Sequence, residues 1–373
     1  MKNGKVIDAD GHVFEHAVDW ADRLRRASPP YIERAPKWVK DDWGRSRVVM
    51  EGRLEPIASG PGQGSTGPFA KGVGADRVAG SDPNARLKGM DQEGVDVAIL
   101  FGTSFRSGLC GLMDGNYAAA LCHAYNNWLA EFCSADVNRL KGAALVPLQN
   151  IPAAIAEMER AVTKLGMVTV CLSTNVYGKN LNHPDFWPFF EAAQSLGVPL
   201  SIHPTVGQNG RPGLYGVQSA GSERFDRFFF THIVGFPFEL MISVLAIVAG
   251  GIFERFPRLK FAFLEGGAGW LPFWMERMDE HYEKLAPQVP EIRRPPSEYV
   301  KSENFYISTE AEESMLPAVL EHVGEDRVLY SSDYPHWDCS FPNSVRHISE
   351  RENLSDQAKR KVLGENAARL FRL

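Results

Sequence analysis

The stretch KVIDADGHVFE, from Lys5 to Glu15, sets two aspartates and a histidine into an apolar run. Carboxylates are rarely buried without a partner, so Asp8 and Asp10 beside Val6, Ile7 and Ala9 call for one. A metal is one such partner. Side chains two apart on a strand point the same way, so a single ion can touch both Asp10 and His12. Titratable groups recur at the ends of later apolar runs: His203 in VPLSIHP, Glu265 in LKFAFLE, Glu310 in NFYISTE and Asp333 in RVLYSSD. Imidazole and carboxylate oxygen together suit zinc, iron or manganese, with room for a water at an open position. Each residue also has a plainer use. Asp10 and Asp333 can cap turns, His203 can be a core histidine bonded to backbone, and Glu265 can be held by amides of the glycine loop after it. Four independent turns would then have to gather titratable groups at one end of the fold by accident.

The elements that must position these groups are short strands alternating with helices. Beyond an irregular segment from Phe14 to about Asn84, strand-like runs lie at 95–101, 142–148, 167–173 and 198–204, and three more end at Glu265, Glu310 and Asp333. With KVIDADGH these make about eight. Between them, PAAIAEMERAVTKLG has proline in its first turn and stops at Gly166, and PDFWPFFEAAQSLG stops in the same way at Gly197. Strands apolar on both faces, each followed by a helix, require a parallel sheet covered by helices, and eight such units suggest a closed (β/α)8 barrel. In that architecture the C-terminal strand ends all open on one face. An open doubly wound sheet is the runner-up, but it lacks the glycine-rich phosphate loop after the first strand. No repeat or linker divides the chain. Residues 1–373 are therefore expected to form one barrel domain, with 14–84 an insertion after strand one that roofs the mouth and 59–74, SGPGQGSTGPFAKGVG, a surface loop.

Composition narrows the partners. A net charge of −6 and no basic stripe argue against nucleic acid. The run from Leu240 to Phe253 is too short for a spanning helix and reads as a buried one, so no membrane is expected. No secretory leader is visible before the first strand, and the cytoplasm is the default location. The five cysteines are odd in number and scattered, which suggests free, mostly buried thiols. A small-molecule substrate is the expected partner, and a homodimer is compatible with the sequence.

The stretches DADGHVFE, VPLSIHPT, FPFELMISVLAIVAGGIFERFPRLKFAFLEGG and VLYSSDYPHWD span nearly the whole chain, and through them it resembles the amidohydrolase-related metal-dependent enzymes. That branch of the amidohydrolase superfamily includes aminocarboxymuconate-semialdehyde decarboxylase and the resorcylate-type decarboxylases. The resemblance implies a distorted (β/α)8 TIM barrel holding one divalent metal on Asp10, His12, His203 and Asp333. It also marks a departure: the decarboxylases carry a histidine before the double glycine after strand six, and this chain carries Glu265. A carboxylate there can bind the metal or accept a proton from its water, and both jobs suit hydrolysis.

The expected activity is therefore that of a metal-dependent hydrolase, with zinc or iron ahead of manganese. A metal-activated water would attack a bulky or aromatic carbonyl or acyl substrate: an amide, ester, thioester or C–C bond. Asp333 or Glu265 would take its proton, and His232 or His336 would protonate the leaving group. His232 is placed in the loop before a long helix. Arg106, Trp270 and Trp337 are the candidate substrate contacts. The alternatives are nonoxidative decarboxylation of an aromatic or unsaturated acid, with Glu265 protonating carbon, and a barrel that binds a small molecule without chemistry.

Overall fold

The computed structural model describes residues 4–40, 46–54, 77–103, 105, 109, 111–204, 219–221, 224–225 and 228–373. Eight strands form one sheet: β1 (Ile7–Val13), β2 (Val97–Gly102), β3 (Leu140–Leu145), β4 (Thr169–Leu172), β5 (Leu200–Ile202), β6 (Phe261–Phe263), β7 (Phe305–Glu310) and β8 (Val328–Ser331). They lie side by side in chain order, every adjacent pair parallel. This is a nearly closed, distorted (β/α)8 barrel. The strands are short and buried almost throughout, because one face meets the barrel interior and the other meets helices.

The helices that follow are α1 (Trp20–Ala27), α2 (Pro83–Glu93), α3 (Gly115–Cys133), α4 (Ile151–Leu165), α5 (Trp187–Leu196), α6 (Phe228–Ala249), α7 (Leu271–Leu285) and α8 (Leu316–Val323), with short helices to the C-terminus. Their limits obey local rules. Asn150 caps α4 by accepting from Ala153 N, and Gly166 ends it in a left-handed conformation at φ 72°.

The two ends of the sheet meet across the first and last strands. Asp333 N donates to Asp10 O at 3.0 Å and His12 N donates to Tyr334 O at 2.8 Å. Arg86 of α2, only 1% exposed, reinforces this seam by donating to the carbonyl oxygens of both His12 and Tyr334. The β1–β2 register also slips: Asp8 faces Ala98 but Gly11 faces Leu100, so one extra residue of β1 bulges between them. A bulge re-aims the side chains it carries, here those around Asp10.

Three expectations need correction. The segment after β1 is not irregular throughout: it contains α1, a 3-10 turn (Pro29–Arg34) and an antiparallel sheet of Lys37–Lys40, Ser46–Met50 and Arg53–Leu54. Glu51 and Arg34 tie that sheet to α3, with Arg34 Nη1 2.6 Å from Asp114 Oδ2 and Asp114 N donating to Glu51 Oε1 at 2.9 Å. Residues 59–74 lie outside the described residues, as do Arg106 and Cys110.

The second correction concerns the apolar run near Leu240. It belongs to the 22-residue α6, long and apolar enough to cross a membrane, with half of the window buried inside the protein. The helix begins earlier than the run suggested because Pro237 sits within it without ending it. The third follows from this: His232 lies in α6 and not in a loop before it. Cys122, Cys133, Cys171 and Cys339 form no disulfide among the described residues, and the first three are buried.

Candidate metal centre

Strand β1 delivers Asp10 and His12 into the barrel mouth, both fully buried. Asp8, two residues earlier, is occupied elsewhere: its carboxylate accepts from Ser332 N at 2.9 Å, Ser332 Oγ at 2.5 Å and Asp10 N at 3.1 Å. Burial pushes its pKa up to about 6. Asp8 thereby fixes the turn that carries Asp333. Asp10 has no such support, and neither of its buried oxygens makes a hydrogen bond.

What faces Asp10 is a pair of imidazoles. Its Oδ1 lies 3.5 Å from His12 Nε2 and 3.4 Å from His203 Nε2, and the two Nε2 atoms are 3.2 Å apart. Asp333 Oδ1 is 3.3 Å from His12 Nε2. The other nitrogen of His203 donates to Pro204 O at 3.0 Å and has Glu265 Oε2 at 2.7 Å. That Nδ1 therefore carries the proton and Nε2 offers a lone pair. A lone pair and a buried carboxylate aimed at one point need a cation between them. Donors bonded at about 2.0–2.2 Å to one ion sit about 3–3.5 Å from each other, the spacing found here. The residues present fit a divalent metal.

The backbone is strained to achieve this. Glu265 and Asp333 take positive φ, 66° and 53°, a region that non-glycine residues rarely occupy. The Glu265 loop is braced from below by Glu313, whose carboxylate accepts from Ala268 N at 2.9 Å, from Gly269 N and from Thr309 Oγ1 at 2.8 Å. Burial, with Asp338, Asp10 and Glu310 near, holds the Asp333 carboxyl well above the usual carboxylate range. A cation among these acids reverses that effect.

The remaining predicted residues divide. His336 joins the centre: its Nδ1 is 2.7 Å from Asp333 Oδ1 and its ring stacks on His12 at 4.1 Å. His232 stands further out, packed on Phe236 and Trp337, with Nε2 3.9 Å from Asp338 Oδ2. Burial pushes its pKa below the usual histidine value against the pull of Asp338. The Trp270 indole N–H is spent on Gly266 O and Gly267 O of its own loop, at 3.1 and 3.0 Å. Phe101 lies 6.3 Å from His12 and 5.7 Å from His203, ring to ring.

Residues that sequence reasoning missed are Thr103, which touches both His12 and His336, and Arg86, Asp338 and Glu313. Thr103 directly follows β2, and its place at a strand end was the available signal. Arg86 reads as an ordinary solvent-facing arginine, and nothing in the sequence marks it as buried.

The model of the amidohydrolase family matches residues 7–373. A γ-resorcylate decarboxylase of a Rhizobium species is 30% identical over 314 residues, covering 78% of this chain and 87% of the relative. The 2-amino-3-carboxymuconate-6-semialdehyde decarboxylase of Dictyostelium discoideum is 28% identical over 293 residues, 77% of this chain and 75% of the relative. Among solved structures, the manganese-bound 5-carboxyvanillate decarboxylase of Novosphingobium aromaticivorans aligns with a TM-score of 0.71 at 23% identity, over 100% of this chain and 98% of that one.

These relatives overturn the expectation of a hydrolase acting through activated water on an amide, ester, thioester or C–C bond. They are decarboxylases, whose reaction releases carbon dioxide and takes up a proton without adding water. The expected precedence of zinc or iron over manganese also finds no support, since the neighbour's metal is manganese. With a family model that runs from β1 to the last residue, the chain belongs to the amidohydrolase family.

Proposed function

We propose that the protein is a metal-dependent nonoxidative decarboxylase of an aromatic or unsaturated carboxylic acid. The observation that carries the reading is the kinship to decarboxylases over most of the chain, joined to a buried donor set that fits one divalent ion. Asp10, His12, His203 and Asp333 would hold it, and manganese is the ion to test first because the solved neighbour carries it. When bound, such an ion supplies a fixed positive charge that orients substrate oxygens and offsets negative charge developing in the reaction.

The chain's own residues must then deliver a proton. Breaking the C–C bond to the carboxylate leaves its electron pair on carbon, so each carbon dioxide released requires one proton at that carbon. Glu265 is the donor in this reading, in place of the histidine of the decarboxylases. A Glu265 oxygen lies within 4.8 Å of donor atoms of His12, Asp333 and His336. Its Oε2 lies 2.7 Å from His203 Nδ1, which holds the carboxyl group in place beside the donors. His336 steadies Asp333, and His232 with Trp337 and Trp270 would wall the pocket against bulk water. Residues 14–84 would form the roof, where loops set specificity.

The test is a panel of hydroxybenzoates and unsaturated dicarboxylic acids with manganese-loaded protein, read by carbon dioxide release. In D2O the product should carry deuterium at the vacated carbon. Glu265→Gln should lower turnover by about 10² to 10⁴ while leaving the metal in place, the usual worth of a positioned acid. No carbon dioxide from any member overturns the reading, and an unchanged Glu265→Gln rate removes Glu265 from it.

A further inference from the structure

We propose that the Thr103 hydroxyl is a positioning group that fixes the tautomers of His12 and His336, so that His12 turns Nε2 to the cation and His336 braces Asp333 through Nδ1–H. This rests on the metal-centre reading above. Thr103 places Oγ1 3.3 Å from His12 Nδ1 and 3.2 Å from His336 Nε2. A hydroxyl has one hydrogen to give. With both imidazoles neutral, it either donates to one ring and accepts from the other, in one of two directions, or accepts from both on its two lone pairs. Accepting from both puts the His336 proton on Nε2 and leaves its Nδ1 lone pair 2.7 Å from Asp333 Oδ1, acceptor against acceptor, so two arrangements remain.

In the first, His12 Nδ1–H donates to Thr103 Oγ1. His12 Nε2 then presents a lone pair towards Asp10, His203 and Asp333, whose nearest atoms lie 3.5, 3.2 and 3.3 Å away. Thr103 donates onward to His336 Nε2, which leaves the His336 proton on Nδ1, facing Asp333 Oδ1 at 2.7 Å. Every donor meets an acceptor.

In the second arrangement all directions reverse. The His12 proton moves to Nε2, into the space between donors that the cation needs. His336 is left with an Nδ1 lone pair 2.7 Å from the Asp333 carboxylate, acceptor against acceptor. It fails at both ends, and the first arrangement is selected. The stacking of the two rings, 4.1 Å apart and 28° from parallel, keeps both nitrogens within reach of one oxygen. Hydrogen bonds therefore run in one direction from His12 through Thr103 and His336 to Asp333, and link two metal ligands by a route separate from the metal.

The experiment measures Mn²⁺ affinity of the metal-free protein by competition with a fluorescent chelator. Thr103→Val keeps the shape and removes the hydroxyl, and should weaken binding about ten- to a hundredfold, the usual cost of losing an outer partner of a ligand histidine. Thr103→Ser should restore it to near the wild-type value. Wild-type affinity in Thr103→Val overturns the proposal, as does a Thr103→Ser as weak as Thr103→Val. Ring ¹⁵N shifts of His336 in zinc-loaded wild-type protein decide the matter independently if Thr103→Val does not fold. Protonation at Nδ1 supports the proposal and protonation at Nε2 overturns it. Wild-type protein that binds neither ion overturns the metal-centre reading and this one with it, whereas failure of the variants alone overturns only the role of Thr103.

Discussion

Two aspartates on one strand illustrate how position decides a carboxylate's job. Asp10 has nothing but imidazole and carboxylate groups to face, whereas Asp8 is saturated by Ser332 and the backbone. His203→Ala should therefore strip the metal, read as metal per chain after gel filtration, because a lone pair and its Glu265 support vanish together. Asp8 makes the opposite kind of prediction. Its folded pKa of about 6 lies above the ordinary 3.8, so the folded state binds the proton more tightly than the unfolded one. Its contribution is present at acid pH and lost as pH rises through about 4 to 6, about 3 kcal/mol at most for a shift of this size. In metal-free protein, the stability of wild type relative to Asp8→Asn should fall by that order between pH 4 and pH 7, measured by urea unfolding. A pH-independent difference would show that folding leaves the Asp8 pKa where it is in the unfolded chain.

At the scale of elements, the barrel depends on close approach where the C-terminal helices cross the first strand. Gly364 lies in a π-helical turn, Lys361–Glu365, and a Cβ there would overlap the carbonyl oxygen of Lys5. Backbone cannot move aside as a side chain can, so Gly364→Ala should cost about 2–4 kcal/mol in chemical denaturation, at the upper end of overpacking. The strands were legible in the sequence because apolar runs and their terminal titratable groups are local signals. His203, Glu265, Glu310 and Asp333 marked four strand ends without any knowledge of contacts. Capping glycines such as Gly166 and Gly197 fixed the helix ends for the same reason. Other features depended on partners distant in sequence. The small antiparallel sheet after β1, the burial of Arg86 and the bridging by Thr103 are properties of neighbours that no window of sequence contains. The nature of the reaction was less legible still. Glu265 favoured hydrolysis when read alone, because a carboxylate beside a metal suits either chemistry and only kinship separates them.

For the whole molecule, ion binding at this centre would couple to stability, since a ligand that binds the folded state alone stabilises it. At a hundredfold excess over its dissociation constant an ion adds about 2.7 kcal/mol. Removing metal with a chelator should therefore lower the melting temperature by several degrees, and restoring Mn²⁺ should recover it. No change on either step would mean that the donors are held in place without the ion. The seam between β1 and β8 gives this coupling a further meaning. Asp10 and His12 belong to the first barrel strand, and Asp333 follows the last. The backbone bonds that close the barrel join these same residues. A nascent chain would present the two β1 donors first, yet must wait for seven further barrel strands before Asp333 can complete the set. Capture of the ion would therefore report that β8 has been made and has docked on β1, and a product terminated before Asp333, however well its early strands pair, would have no means of passing that inspection.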